Sequence, residues 1–441
     1  MAGRQLSGLD VAFLCLEGNT SPMHMGAVAV FQPSAPVDPD KLAALLAERA
    51  DQVPRLRRRV GGTLFPPGGA TWVEDTRFDA REHIHVHRLG EFDSEDPLTS
   101  CAAEWIEEPL DLRRPPWSVH VVTGLGDGRF ALLLKLHHSF TDGAGAFAVA
   151  AGLLDKLPIT QAILSAAEPA QDERSPLAML KDGITSAVSG AGTGAGIASA
   201  VLRAARPYPT SPLSAPNSAS RKLGFVRLDM ADIRRIRAAH GGTANDVVLA
   251  VLTGALREWM INRGQRVEGR RLRALIPVST RARDAVRAAN QLSGYLCDLP
   301  VHLEDPVVRL HEIHRSMNRN KAAGPRTGAG AVPILAKQIP PPVHRLATRF
   351  AGQAAGLLFD TVITNVPLPK LELRLDEARL REVYPLVPLA PRHAVGVAAT
   401  VYQDHVHIGL QMNGEAVADA GSLRDAVLKA TAALYERSIS T

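Results

Sequence analysis

Residues Leu132–Phe147 read LLLKLHHSFTDGAGAF. The Leu-rich run Phe130–His138 is short enough for a buried strand, and the Ala- and Gly-rich residues after Asp142 open a helix. A strand passing through a tight turn into a helix is a unit of mixed α/β proteins. Strand periodicity puts Leu132, Leu134, Leu136 and His138 on one face, with Leu133, Lys135 and His137 on the other. The two adjacent imidazoles therefore meet different surroundings and cannot share one task. His138, at the end of an apolar strand, suits a general base, because burial favours the neutral ring and histidine titrates near physiological pH. Asp142 at the turn suits an ion pair with an arginine that braces the loop. Gly143 and Gly145 let other atoms come close to it.

Other chemistries find less support. His138 and Asp142 have the look of a metal pair, but no third ligand stands at a usual spacing. There is no GxSxG nucleophile elbow, no GxxxxGK[ST] phosphate loop and no strand–GxGxxG–helix. A second cluster, His83, His85 and His87 in EHIHVHRL, would lie on one strand face with Ile84 and Val86 opposite. It reads as the polar outer face of an edge strand rather than a metal-binding strand.

Outward from the histidine strand, the pattern stays mixed. Ala27–Phe31 predicts a strand, and Asp38 followed by Pro39 predicts a helix start. PRLRRRV, with Arg55, Arg57, Arg58 and Arg59, reads as a solvated helix or strand edge. Thr243 is placed to cap a helix carrying two apolar stripes, Val247, Val251, Ala255, Trp259 and Val248, Leu252, Leu256, Met260. Leu223–Leu228, Leu272–Val278 and Thr361–Val366 predict strands. Val395–Tyr402 and Val406–Met412 predict a hairpin turning at Gln403-Asp404, and Leu423, Val427, Ala430 and Leu434 a final helix. Between these two mixed regions the chain is crowded with Ala, Gly, Ser and Pro, and no charge occurs between Asp182 and Arg203. The expected organisation is a half over 1–157, a connection over 158–220, and a second half over 221–441. The connection is expected to be a linker or a helix packed between the halves.

Composition narrows the classes. Of 441 residues, 46% are hydrophobic and 22% charged, which excludes a wholly disordered chain. Aromatics at 5% argue against a surface for stacking single-stranded bases, and a net charge of +5 is slight support for nucleic acid. That charge fits contact with anionic headgroups or a phosphorylated co-substrate equally well. Cys15, Cys101 and Cys297 are too few and too scattered for a disulfide framework, so a reducing compartment is expected. The opening residues do not read as a secretory signal, and no run of eighteen strongly apolar residues occurs.

HHSFTDG matches the HHxxxDG signature of CoA-dependent acyltransferases of the chloramphenicol-acetyltransferase-like fold. Over nearly its full length the chain resembles the bacterial wax ester synthase/diacylglycerol acyltransferase family. The resemblance is carried by LSGLDVAFLCLEGNTSPMHMGAVAVF, PLDLRRPPWSVHVV, GGTANDVVLAVLTGALREWMINRG, LRALIPVSTR and TNVPLPKLEL. Two departures are Leu368 where the family usually has Gly, and PPW where PLW is commoner. Leu368 is expected to reshape the acceptor side of the site.

The resemblance implies two α/β halves around a channel, which His138 faces as general base while His137 supports it. Acyl-CoA and a diacylglycerol or long-chain alcohol would enter from opposite ends, with no bound cofactor, metal or nucleic acid. Asp142 is expected to be buried against Arg281 from the other half, with Arg283 in reserve, and Gly143 to belong to the same loop. Asn245 and Asp246 are expected to cap their helix and pack between the halves, in or near the channel wall. Asn365 is a candidate donor to the oxyanion. The protein is expected in the cytoplasm, in peripheral contact with membrane or lipid inclusions. Two other readings are an acyltransferase with a small-alcohol or other acceptor and a lipid-binding homologue without activity. The intact His138, Asp142 and Gly143 argue against the second.

Overall fold

The computed structural model describes residues 4–6, 8–62, 70–91, 96–140, 143–155, 211–279, 292–323 and 358–440. The histidine strand, β7 (Phe130–His137), lies inside a six-stranded sheet. Its neighbours there are β2 (His24–Gln32) and β6 (Trp117–Thr123), and β5 (Ile84–Arg88) forms one edge. The other edge comes from the C-terminal part of the chain, as β13 (Ala378–Leu386) pairs onto β2 and β12 (Arg374–Leu375) onto β13. A second six-stranded sheet runs in the order β10 (Leu292–Leu299), β9 (Leu272–Ser279), β11 (Thr361–Asn365), β14 (Val395–Tyr402), β15 (His405–Asn413), β8 (Arg221–Asp229). A small sheet joins β1 (Arg4–Gln5), β4 (Thr71–Glu74) and β3 (Arg58–Gly61).

The helices cover these sheets according to their stripes. α2 (Pro39–Asp51), capped by Asp38, and α4 (Gly143–Leu153) pack Leu42, Leu46, Val149 and Leu153 against Phe31, Leu132 and Leu136. α3 (Pro97–Glu107) covers the opposite face with Cys101, Trp105 and Ile106. On the second sheet, α5 (Met230–His240), α6 (Ala244–Asn262), α7 (Pro306–Ala323) and α8 (Ala420–Ile439) bury one face with the strand residues that point towards them. Both predicted stripes of α6 are buried, so this helix is embedded in the core over most of its length and reaches the surface in its last turn. The predicted Gln403-Asp404 hairpin is present, with Gln403 at φ 50° in its turn. Most of the Ala/Gly/Pro/Ser-rich stretch lies outside the described residues.

The two sheets touch along β13 and β15. A Cβ on Gly409 of β15 would collide with the backbone carbonyl of Pro385 on β13, so glycine is what lets the strands meet. Nearby, Phe225 of β8 stacks on Tyr384 of β13 at 4.8 Å.

The histidine cluster of β5 departs from its expectation in part. β5 is an edge strand, with Ile84 and Val86 against the core and His85 and His87 opposite. His83 precedes the strand in a 3-10 turn, where it is buried, stacks on Trp117 and bonds its carbonyl at 2.9 Å. The strand begins one residue too late for the three rings to share a face. His87 instead bonds His120 of β6, ring nitrogen to ring nitrogen, at 2.8 Å.

Lys135 is the unusual core residue. It is 1% exposed, and its ammonium donates to the carbonyls of Trp105 and Glu108 at the C-terminal end of α3. Burial holds it down to about 8 from an ordinary 10.5, against the opposing pull of Glu108. Between those two values the unfolded chain binds a proton that the folded chain does not. The contribution of Lys135 to stability therefore rises with pH across this window and is lost as pH falls through about 8. Urea denaturation of wild type and Lys135→Met at several pH values from 7.5 to about 10 isolates this group. The difference in unfolding free energy is expected to move in favour of the wild type as pH rises, and a difference that does not change with pH would refute it.

Candidate active site

β7 carries its side chains as its alternation requires. Leu132, Leu134, Leu136 and His138 line one cavity of about 460 Å³, within the roughly 300–1,000 Å³ of small-molecule sites. The opposite wall is the second sheet, through residues such as Leu275, Val362, Thr364 and Ala398. Helix α4 contributes Ala146, Phe147 and Ala150. Among the described residues of the lining, His138 is the one titratable side chain, and the only other polar side chains are those of Thr364 and Thr400. The Thr400 hydroxyl already donates to the Val366 carbonyl at 2.6 Å.

The turn that carries His138 is held from both flanking strands. His137 N–H donates to the Pro116 carbonyl at 3.0 Å, and His138 N–H to the Met23 carbonyl at 2.7 Å. Phe140 N–H closes the turn on the His137 carbonyl at 2.9 Å. Arg55 donates to the Phe140 carbonyl and lies over the Phe140 ring at 5.2 Å. Part of the basic run read as solvated thus braces this turn, because cation–π contact and a carbonyl acceptor reward an arginine near its surface.

The two imidazoles do face opposite ways. His138 is half-buried at the cavity wall, with Phe13 of α1 (Gly8–Leu16) stacked on its ring at 3.9 Å and 23°. His137 is completely buried on the α3 side of the sheet. Its Nδ1 accepts from Ser139 N–H at 3.1 Å and meets the Ser139 hydroxyl at 2.6 Å, while Nε2 lies 3.2 Å from the Glu17 carboxylate. Glu17 also accepts from Met23 N–H at 2.5 Å. Glu17 N–H bonds the Phe13 carbonyl at 3.0 Å, so the two residues sit one helical turn apart and reach one imidazole each. Neither is apparent from composition or motif. The only signal is their spacing of four in AFLCLE, whose apolar side reads as core.

Behind His137 lies a layer of buried polar groups. His24, opposite His137 in the strand register, bonds the Ile106 carbonyl at 2.6 Å. Burial and the neighbouring Lys135 push it down to about 3, so it stays neutral.

The other predicted site residues are spread more widely. Gly143 begins α4. Asp142, Arg281 and Arg283 lie outside the described residues. Thr243 and Asp246 form a reciprocal capping box at the start of α6, and Asp246, fully buried, also bonds His314 Nδ1 at 2.8 Å. Burial raises its carboxyl, and the bonds from His314 and Thr243 outweigh that and leave it below the ordinary range. Asn245 is the next helical residue before it and is half-buried. Neither lines the cavity. Asn365 ends β11 exposed, while Thr364 and Val366 on either side of it line the cavity. Among the described residues no three His, Cys, Asp or Glu side chains gather as metal ligands.

The arrangement presents one imidazole to an apolar space whose described lining holds no other acid or base. Such a site can take a proton from a hydroxyl brought in by an apolar molecule.

Comparison with known proteins agrees with this geometry. Residues 6–248 match the model of the wax ester synthase/diacylglycerol acyltransferase catalytic domain, and 288–434 that of the WS/DGAT C-terminal domain. A probable diacylglycerol O-acyltransferase of Mycobacterium tuberculosis, tgs1, is 32% identical over 97% of this chain and 95% of its own. A second from the same organism, tgs2, is 29% identical over 91% and 92%. The solved wax ester synthase/diacylglycerol acyltransferase of Marinobacter aquaeolei VT8 superposes with a TM-score of 0.75 at 25% identity, covering 99% of each chain. The TRI3 trichothecene 15-O-acetyltransferase of Fusarium sporotrichioides shares the fold, with a TM-score of 0.63 at 12% identity over 98% of this chain and 94% of its own.

The bonds around His137 make a checkable statement. A backbone N–H can only donate, so the neutral ring must accept at Nδ1 and carry its hydrogen on Nε2, facing Glu17. Glu17→Ala leaves Nε2–H and Met23 N–H without their acceptor, at about 1–3 kcal/mol for each buried group. Glu17→Gln keeps an acceptor and is expected to lose much less. Urea denaturation measures both, and equal stability of the Ala and Gln variants would remove this role for Glu17.

Proposed function

The chain belongs to the wax ester synthase/diacylglycerol acyltransferase family, and on that premise we propose that it is an acyl-CoA-dependent O-acyltransferase. It makes triacylglycerol from diacylglycerol, wax esters from fatty alcohols, or both. The observation that carries this reading is the cavity itself: apolar walls from both sheets, with His138 as the one titratable side chain of its described lining.

The reaction follows from those groups. The acceptor hydroxyl attacks the carbonyl carbon of the acyl thioester as His138 takes its proton. A tetrahedral oxyanion forms and collapses, the carbon–sulfur bond breaks, and the imidazolium returns the proton to the departing CoA thiolate. The acyl group passes directly to the acceptor oxygen, so no enzyme nucleophile is required. Phe13 fixes the plane of the His138 ring, and Glu17 acts through His137 on the turn that carries it. Asp142 and Gly143 are assigned a supporting role for the same motif.

Acceptors of this class partition into lipid, so the enzyme would work in peripheral contact with a membrane or with lipid inclusions. No helix among the described residues is long and apolar enough to cross a membrane. The net charge of +5 favours anionic headgroups, each well-placed basic residue adding about 1 kcal/mol.

Turnover of labelled palmitoyl-CoA against diacylglycerol, hexadecanol and short alcohols tests both acceptor and base. His138→Ala is expected to lower turnover by about two to four orders of magnitude with folding retained. His137→Ala should lower it less, through geometry. Near-normal turnover in folded His138→Ala would sink the mechanism, and full activity restricted to short alcohols would sink the lipid acceptor.

A further inference from the structure

On the far side of the second sheet, α6, α7 and α8 enclose a separate cleft of about 320 Å³. The acyl-transfer cavity uses the other face of that sheet, so the two spaces share no lining residue. The charged lining of this cleft is Arg257, Glu258, Glu304, Arg309 and Lys429. Lys429 and Glu258 are paired with each other at 3.1 Å. Asp305, beside the cleft, caps α7 and pairs with Arg437 at 2.6 Å. Glu304 stands exposed on the rim.

The two arginines are different. Among the described residues neither takes part in an ion pair, and their hydrogen bonds run to backbone carbonyls. Arg257 donates to Val301 at 2.8 Å, and Arg309 to Leu303 and Glu304 at 2.9–3.2 Å. Arg309 is only 5% exposed. Its burial and the charge of Arg257 beside it bring the guanidinium down to about 10, against a partial lift from Asp305. A guanidinium so deep, next to a second cation, gains most from an anion.

The cleft is also shaped around Arg309. Gly254 lies in the middle of α6, where glycine is the poorest helix former apart from proline, and a Cβ there would collide with Arg309 Nη1. The first turn of α7, its free N–H groups capped by Asp305, borders the same space. The rest of the lining is apolar, with Ala430, Ala433 and Ile261, the last 45% exposed.

We propose that this cleft binds a phosphate group between Arg257 and Arg309, outside the acyl-transfer cavity. The backbone bonds leave Nε and Nη2 of Arg257 and Nη1 of Arg309 to meet phosphate oxygens, and the apolar rim suits a phosphate that carries hydrocarbon. An anionic phospholipid headgroup and a free phosphate share this chemistry, and the test separates them.

Flotation with phosphatidylglycerol–phosphatidylcholine vesicles, against phosphatidylcholine alone, reads the lipid source. Calorimetric titration with inorganic phosphate reads the free one. Arg257→Gln is expected to weaken whichever binding occurs by about tenfold, the loss of one charge-assisted contact, while Arg257→Lys keeps most of it. Unfolding midpoints verify that the variants fold. Independently of any variant, phenylglyoxal modification of the wild type, mapped by mass spectrometry, should show Arg257 protected by phosphate or by the anionic vesicles. Vesicle binding that falls in Arg257→Gln assigns the site to a headgroup, and phosphate binding without vesicle binding assigns it to a soluble phosphate. Wild-type protein that binds neither probe, or Arg257→Gln that binds both as the wild type does, overturns the proposal.

Discussion

The site rests on the pairing of one strand at its last residue. β7 is bonded on both sides, and at its end His137 N–H reaches Pro116 while His138 N–H reaches Met23. These two bonds fix the point at which the chain leaves the sheet. One residue of slip would exchange the faces, turning Lys135 and His137 into the cavity and His138 towards α3. Register here is pinned by a large difference in environment. One face offers hydrocarbon, and the other offers the carbonyls of α3, the Glu17 carboxylate and the Ser139 amide. Lys135 and His137 have partners only on the second face, so their polarity enforces the position of His138.

The same logic explains why the cavity is built across the chain rather than within one part of it. A sheet with one face on helices must cover the other, and the second sheet turns its helix-free face towards the first. The contact is closest where β13, contributed by the C-terminal part of the chain, meets β15 at Gly409. Away from that contact the sheets diverge around small and aliphatic side chains such as Ala27, Ala29 and Ala398. The apolar space is therefore a product of how the two sheets meet, and α4 closes a further side with Ala146 and Ala150.

Much of this was legible before any coordinates. The period-two pattern of Phe130–His138 set the facing of both imidazoles, and the i, i+4 stripes of α6 set a helix with two buried apolar faces. β13 was not legible. Its apolar residues Leu380, Tyr384 and Leu386 are interleaved with Arg379, Arg381 and Glu382, and Pro385 stands where a strand pattern normally excludes it. Its turn is made by Asp376 and Glu377 at positive φ, without the glycine that usually marks such a turn. Phe13, Glu17 and Arg55 were hidden for another reason. Each acts across 85 or more residues of sequence, on His138, His137 and Phe140, and long-range pairing leaves no local period to read.

The proposed reaction sets one further demand on this architecture. A thioester attacked by a base-activated hydroxyl is equally open to water, and His138 would serve either nucleophile. Selectivity for the alcohol has to come from what reaches the imidazole. A cavity whose described lining offers almost no hydrogen-bonding side chain gives water few places to stay, while it rewards every methylene of an acyl chain or a lipid acceptor that displaces it. The polar side chains that hold His137 lie on the reverse face of the sheet, where they cannot hydrate the reacting atoms. Separating the two faces of one strand thus does two things at once. It positions the base through polar bonds, and it keeps those bonds out of the space in which the ester forms.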